Sequence, residues 1–172
     1  MTITEGLARI KTLTKRIEKK QEFVLRHIGR ASTLTDPLAE EGGSLSCVSK
    51  EMQAIHDLSG QIVAIRKCIN DANRETPVSV NGAERTVEGW LVWKREVAPR
   101  YESFLARMLA QIESAKGGLE RHNRMKEEQV DFIVHYSERD LADLVEKHQT
   151  VMAELDGQLS LVNATVQIAI PD

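Results

Sequence analysis

Between residues 48 and 69, seven apolar side chains recur at steps of 4, 3, 3, 4, 3 and 4: Val48, Met52, Ile55, Leu58, Ile62, Ile65 and Ile69. Residues three and four apart share one face of an α-helix, and a seam held over three near-heptad repeats needs a second helix to cover it. A similar run closes the chain. Leu141, Leu144, His148, Val151, Leu155, Leu159 and Val162 step by 3, 4, 3, 4, 4 and 3. Two long seams of this kind fix the class as mainly helical, and the remaining segments must provide the covering faces.

Two further helices suit that role. Leu7, Ile10, Leu13, Ile17, Val24 and Ile28 line one face of a helix over about 4–28. Thr2 or Thr4 is placed to cap its start, and Gly29 suits a left-handed residue after its end. The loop 30–46, rich in Gly, Pro, Ser and Thr, joins it to the seam helix at about 47–72, so the pair reads as an antiparallel hairpin. A third helix over about 87–116 carries Val87, Trp90, Val97, Tyr101, Phe104, Met108, Ile112, Ala115 and Leu119 on one stripe. Pro99 must kink or divide it, and Gly117-Gly118 offers an end. Ser137 and Asp140 form a capping-box variant ahead of the last helix, about 138–162, with Asn163 as a left-handed cap. Between them, "HNRMKEEQ" is polar and helical in character, whereas "VDFIVHY" suits either a short strand or one apolar turn of helix.

Strand signals are confined to two places. Val78 and Val80 alternate with Ser79 and lead into Asn81-Gly82, a pair that tolerates positive φ at both positions of a tight hairpin turn. The hairpin spans 77–87, with Pro77 at the strand start, where a missing N–H is tolerated, and Thr86 capping the following helix. At the C-terminal end Val166, Ile168 and Ile170 alternate after Thr165. "INDANRETPVSV" and "LSLVNATVQIAI" echo one another: in each, an Asn (Asn73, Asn163) and then a Thr (Thr76, Thr165) mark a passage from helix to strand. If both helices run parallel, the strand 165–170 joins the hairpin as a third strand, which an isolated hairpin needs for stability in water. The competing readings are continued helix, or pairing with another subunit. The expected architecture over 1–172 is therefore a single elongated mainly α (α+β) domain. It is an antiparallel bundle of about four long amphipathic helices with a small three-stranded antiparallel sheet at one end.

Composition speaks against catalysis. Seven aromatic residues in 172, with no apolar run of 18, suit Leu/Ile/Val-seamed helices and exclude a membrane-spanning helix. The N-terminal segment has no apolar signal core, which argues against secretion by that route. Cys47 and Cys68 lie about 31 Å apart on one helix, too far for a disulfide, and a reduced intracellular setting is the simple reading. The five histidines His27, His56, His122, His135 and His148 form no compact ligand pair, and His148 reads as a seam residue. Glu40-Glu41 and Glu127-Glu128 read as solvated charge. Gly42-Gly43 and Gly117-Gly118 lack the Lys-Ser/Thr of a phosphate loop. No enzyme activity, cofactor or metal is expected. Residues 1–30 carry eight Lys/Arg against three Glu, and residues 138–172 two against seven acidic side chains, so the first and last helices have complementary flanks. A basic helix also attracts phosphate, but the net charge of −3 and the lack of interleaved aromatics disfavour nucleic-acid binding.

Three segments carry a resemblance. "TEGLARIKTLTKRIEK", "AIRKCINDANRETPVSVNGAERTVEGWLVWK" and "LDGQLSLVNATVQIAI" resemble a family of tailed-bacteriophage virion structural proteins. That family has an N-terminal "EAL…LK.L.KRI" helix, an "SNA.T.V.I.G…TVAEAI" hairpin-to-helix junction and a closing "LSE.NA.T.I.I" segment. The arrangement is also similar to bacterial helical-hairpin proteins ending in "NW.T". The three segments cover 63 of the 172 residues; Thr86, Val87 and Glu88 match the junction, whereas Gly89-Trp90 stands where the family has Ala-Ile. The resemblance implies a non-enzymatic part of a phage particle, with other virion proteins and itself as partners. A phage-encoded regulator binding a host protein, and a nucleic-acid-binding bundle using the first helix, are the alternatives. The residues placed at contacts are Asn73, Thr76, Val78, Val80, Asn81, Gly82, Thr86, Trp90, Trp93, Asn163, Thr165, Val166, Ile168 and Ile170.

Overall fold

The structure, a computed structural model, describes residues 1–125, 130–131 and 133–169. The expected features at Glu127-Glu128 and Ile170 lie outside the described residues. Among the described residues the fold is mainly α with one small antiparallel sheet. In chain order the elements are α1 (Ile3–His27), α2 (Ser44–Glu75), β1 (Pro77–Val80), β2 (Ala83–Thr86), α3 (Val87–Val92), a π turn (Trp93–Val97), α4 (Ala98–Met125) and α5 (Glu138–Thr165). Among the described residues, no helix is long and apolar enough to cross a membrane. The chain falls into two compact units, Met1–Asn73 with Leu161–Asp172, and Arg74–Ser160; the divisions fall inside α2 and α5.

In the first unit, α1 starts with a capping box. The Thr2 hydroxyl accepts from the Glu5 N–H, and the Glu5 carboxylate accepts from the Thr2 N–H at 2.8 Å. Gly6 packs beside Ile65 and Ile69 of α2, while Lys20 pairs with Glu51 at 2.6 Å, so α1 and α2 run antiparallel as the seams require. Ile3, Ile10, Leu13 and Val24 are buried, as are Leu58, Ile65 and Ile69 of α2 and Val162 and Ile168 at the C-terminal end. Met52, read as a seam residue, is 53% exposed. The two consecutive steps of three turn it about 120° away from Leu58. Gly29 does not adopt positive φ, and α1 ends instead on a right-handed Ile28.

The C-terminal segment overturns the three-stranded sheet. β1 and β2 form a two-stranded sheet with Pro77 opposite Thr86 and Val80 opposite Ala83. Residues 166–168 pair with the N-terminus instead. Gln167 bridges Thr2, Ile3 N–H donates to the Val166 carbonyl at 3.2 Å, and Ile168 N–H donates to the Met1 carbonyl at 2.7 Å. The physical reason is donor supply. The first N–H groups of a helix have no partner inside it, and Ile3 opens α1. On the hairpin, Pro77 has no N–H, and the Trp90 indole already donates to the Val78 carbonyl. Nor do the two helices stop at asparagine. α2 continues to Glu75 and α5 to Thr165, each two residues further, so Asn163 is helical rather than a left-handed cap.

In the second unit, Asn81 (φ 48°) and Gly82 (φ 75°) make the predicted tight turn, with both residues at positive φ. Thr86 caps α3 by accepting from Gly89 N–H at 3.2 Å. Lys94 pairs with Asp156, Tyr101 meets His148, and Lys116 pairs with Glu138, which makes α4 and α5 antiparallel. The basic and acidic flanks are thus met by other partners: Lys20 of α1 by Glu51 of α2, Asp156 and Glu138 of α5 by Lys94 and Lys116. Gly117-Gly118 does not end the helix. α4 runs on to Met125, and Asn123 brackets Val130 with two hydrogen bonds of 2.9 and 3.1 Å; the described part of "VDFIVHY" is neither strand nor helix. Ser137 caps α5 by accepting from Asp140 N–H.

Candidate interaction surface

The hairpin and the helix after it are fastened by Trp90. Its ring is 3% exposed, its Nε1 donates to the Val78 carbonyl at 2.9 Å, and the Arg85 guanidinium lies 5.1 Å from the ring centre. A buried indole needs such an acceptor, and a cation over its face adds attraction. Val78 (5% exposed) and Val80 (fully buried) close the same core. These residues hold the hairpin and are not available to a partner.

Trp93, one turn on, is half-buried. Its ring meets Trp90 edge-on at 5.6 Å and His148 at 6.0 Å, and the Tyr101 ring lies 5.4 Å from His148. Trp93, Val97 and Tyr101 thus face Leu144, His148 and Val151 across an open notch of about 360 Å³. Further along α4, Phe104, Met108 and Ile112 border a second opening of about 670 Å³. Val97, Tyr101 and Phe104 are 48%, 37% and 54% exposed. Apolar side chains scattered singly on a surface are ordinary, whereas these three follow one another along α4 beside the two openings.

The other sequence candidates are distributed as follows. Asn81 and Gly82 form the hairpin turn, and Asn81 N–H donates to the Glu154 carboxylate at 3.1 Å. Thr86 is a helix cap, and the Thr76 carbonyl accepts from Val87 N–H, extending the hairpin by one rung. Asn73 lies within α2, and its Oδ1 is buried with no partner among the described residues. In the first unit, the Asn163 carbonyl accepts from the Thr4 hydroxyl at 2.9 Å, and Thr165 returns its hydroxyl to the Leu161 carbonyl at 2.8 Å. Val166 and Ile168 form the clasp with the N-terminus. Most of the candidates therefore hold the protein's own fold together, and of the set Trp93 alone borders the open groove.

Sequence reasoning did not single out Asp36. Its carboxylate accepts from the Ser44 hydroxyl, from Ser44 N–H at 2.9 Å and from Leu38 N–H at 3.0 Å, so it caps α2 from the preceding loop. The Ser44 hydroxyl, then the Ser44 and Leu38 N–H groups, with Arg30 nearby, lower its pKa from 3.8 to about 2. Gly42 and Gly43, at φ 97° and 89°, allow the sharp return that brings Ser44 to it. The legible signal was Asp-Pro in the loop with Gly-Gly-Ser ahead of the helix. Among the described residues, no three His, Cys, Asp or Glu side chains come together as metal ligands would. Compared with protein-family models, curated proteins and solved structures, the chain matches none.

Proposed function

We propose that the protein is a non-enzymatic structural or assembly component of a tailed-bacteriophage particle, working through protein–protein contacts. The observation that carries this reading is the resemblance of the three segments at residues 4–19, 64–94 and 155–170. Its physical support is an apolar stripe, Val97, Tyr101 and Phe104, left open beside a groove on a firmly packed helix pair. The exposed β2 adds a short edge of the kind that accepts a strand. Mass spectrometry of purified particles tests the proposal. Peptides of this chain at a fixed ratio to the major capsid protein support it, and their absence from particles rejects it.

A second reading rests on α1. Lys11, Lys15, Arg16 and Lys19 are exposed and join no ion pair among the described residues, a surface that attracts phosphate. Under that reading duplex DNA binds with a steep salt dependence, and reversal of Lys15 and Lys19 abolishes it. Fluorescence anisotropy with labelled duplex, repeated across salt concentrations, separates the two.

A further inference from the structure

We infer that the open face of the α4–α5 pair is a self-association surface, whose occupant is the same face of a second copy of this chain. The inference deepens the protein-contact reading above by naming a partner and a face. Val97, Tyr101, Phe104, Met108 and Ile112 follow one another at steps of 4, 3, 4 and 4 along α4. The inner side of α4 is already satisfied, because Ala98 and Leu105 are 1% exposed. Tyr101, Met108 and Ile112 lie four, three and seven residues from Leu105 and so flank that packed face, and the exposed Val97, Tyr101 and Phe104 form its open margin. Beside Val97 and Tyr101, α5 supplies the opposite wall with Leu144, His148 and Val151, and beside Phe104, Met108 and Ile112 the wall is Ile133, Val134, His135 and Tyr136 of the segment ahead of α5.

Charge selects the occupant. On α4 the outer rim carries Arg100 and Arg107, both exposed and without an ion pair among the described residues. On α5 the rim carries Asp140, Asp143 and one cation, Lys147, which borders the groove. A two-fold axis parallel to the helices lays α4 of each copy over α5 of the other, antiparallel. The level of each residue follows from the pairs within one chain: Lys94 with Asp156, Tyr101 with His148, Lys116 with Glu138. On that ladder Arg107 stands level with Asp143 of the second copy, and Lys147 falls beside the neutral Ser103. Phe104 then enters the partner's notch, and the same contact is made twice, as a two-fold interface requires. The alternative two-fold axis sets α4 against α4, which opposes Arg100 and Arg107 to cations.

The stripe from Val97 to Ile112 is about 22 Å long at helical rise, and two helices are about 20 Å wide. That is about 900 Å² over both copies, in the range of weak, reversible contacts. A concentration-dependent monomer–dimer equilibrium follows.

Sedimentation equilibrium on the full chain, over a wide range of concentrations, reads the association directly. Wild-type protein is expected to dimerise reversibly. Phe104→Glu and Arg107→Glu should each weaken association at least tenfold, and both positions are exposed, so far-ultraviolet circular dichroism should be unchanged. Arg107→Glu combined with Asp143→Arg restores the opposite-charge pair and should recover most of the loss. A wild-type chain that stays monomeric throughout overturns the inference. So does a dimer indifferent to Phe104→Glu, or a charge exchange that restores nothing. A monomer found in particles leaves the assembly reading standing while this one falls, and a dimer missing from particles does the reverse.

Discussion

Gly6 offers a sharp test of the packing in the first unit. It lies on α1, where alanine is normally preferred over glycine by about 1 kcal/mol. A Cβ placed there meets Ile168 Cδ1 at 2.9 Å, Ile65 Cγ2 at 3.4 Å and Ile69 Cδ1 at 3.5 Å. Gly60 on α2 is the control, since a Cβ there meets nothing within 4 Å. Gly60→Ala should therefore stabilise by about 0.5–1 kcal/mol. Gly6→Ala carries the same backbone gain but must push the Ile168 tip aside, and overpacking of a tight core costs about 1–3 kcal/mol. Its net effect should fall at least about 1 kcal/mol below that of Gly60→Ala.

The clashing atom can be removed by itself, because Ile168→Val deletes Cδ1 and little else. Alone it should cost about 0.5–1.5 kcal/mol. Combined with Gly6→Ala, the two changes should be less harmful than their sum, with a coupling of about 1 kcal/mol, since residues in contact depart from additivity by that order. Urea unfolding followed by far-ultraviolet circular dichroism yields all four corners of the cycle. If Gly6→Ala stabilises as much as Gly60→Ala, or if the cycle is additive, Ile168 is not seated against α1 and the clasp between residues 1–3 and 166–168 is wrongly drawn.

Two further changes probe other fastenings. Trp90→Phe keeps an apolar ring but removes the indole donor to Val78, so it should cost about 1 kcal/mol for the hydrogen bond and as much again for lost packing, read as a lower urea midpoint. Asp36 has a folded pKa below its unfolded value, so its contribution is present above about 3.8 and is lost as pH falls through about 2. The stability difference between wild type and Asp36→Asn should accordingly shrink over that interval, and an unchanged difference would remove Asp36 as the cap of α2.

Local signals were legible where one chemistry decided the outcome. Asn81-Gly82 had to turn with positive φ, Thr86 and Thr2 had free helix donors in reach, and each seam had to be covered by a neighbouring helix, α1 on α2 and α4 on α5. The echo between Asn73 and Asn163 was also real, since both helices run two residues past the asparagine and then extend. What alternation could not give was the partner of that last extension. Any extended segment offers the same N–H and C=O groups, and the choice fell to whichever donors were left unpaired. Those belonged to the first residues of α1, which carry no strand pattern at all. For the candidate surface, residues that looked available because they sit at a junction turned out to hold it together. The open ones, Tyr101 and Phe104, looked like ordinary core positions.

The reason they are open lies one turn before Pro99. By α-helical spacing Trp90, Val97, Tyr101 and Phe104 belong to one stripe, yet Trp90 is 3% exposed and Phe104 54%. The π turn at Trp93–Val97 spends an extra residue, with Ala98 N–H reaching the Trp93 carbonyl, and so rotates everything after it. Trp90 can then face the hairpin while Val97, Tyr101 and Phe104 face the groove. Proline acts on the carbonyl four residues back, here Arg95, which explains why the irregularity precedes it. Two causes compete: the ring of Pro99 forces the wide turn, or the packing of Trp90 and Leu105 on either side sets the phase and proline merely fits. The burial of both anchors favours the second. Pro99→Ala should then change stability by less than about 1 kcal/mol and leave the near-ultraviolet circular dichroism of the two tryptophans unaltered. A gain near 3 kcal/mol, the full relief of a proline inside a regular helix, would show instead that the ring holds the turn open and that the stripe faces outward because of it.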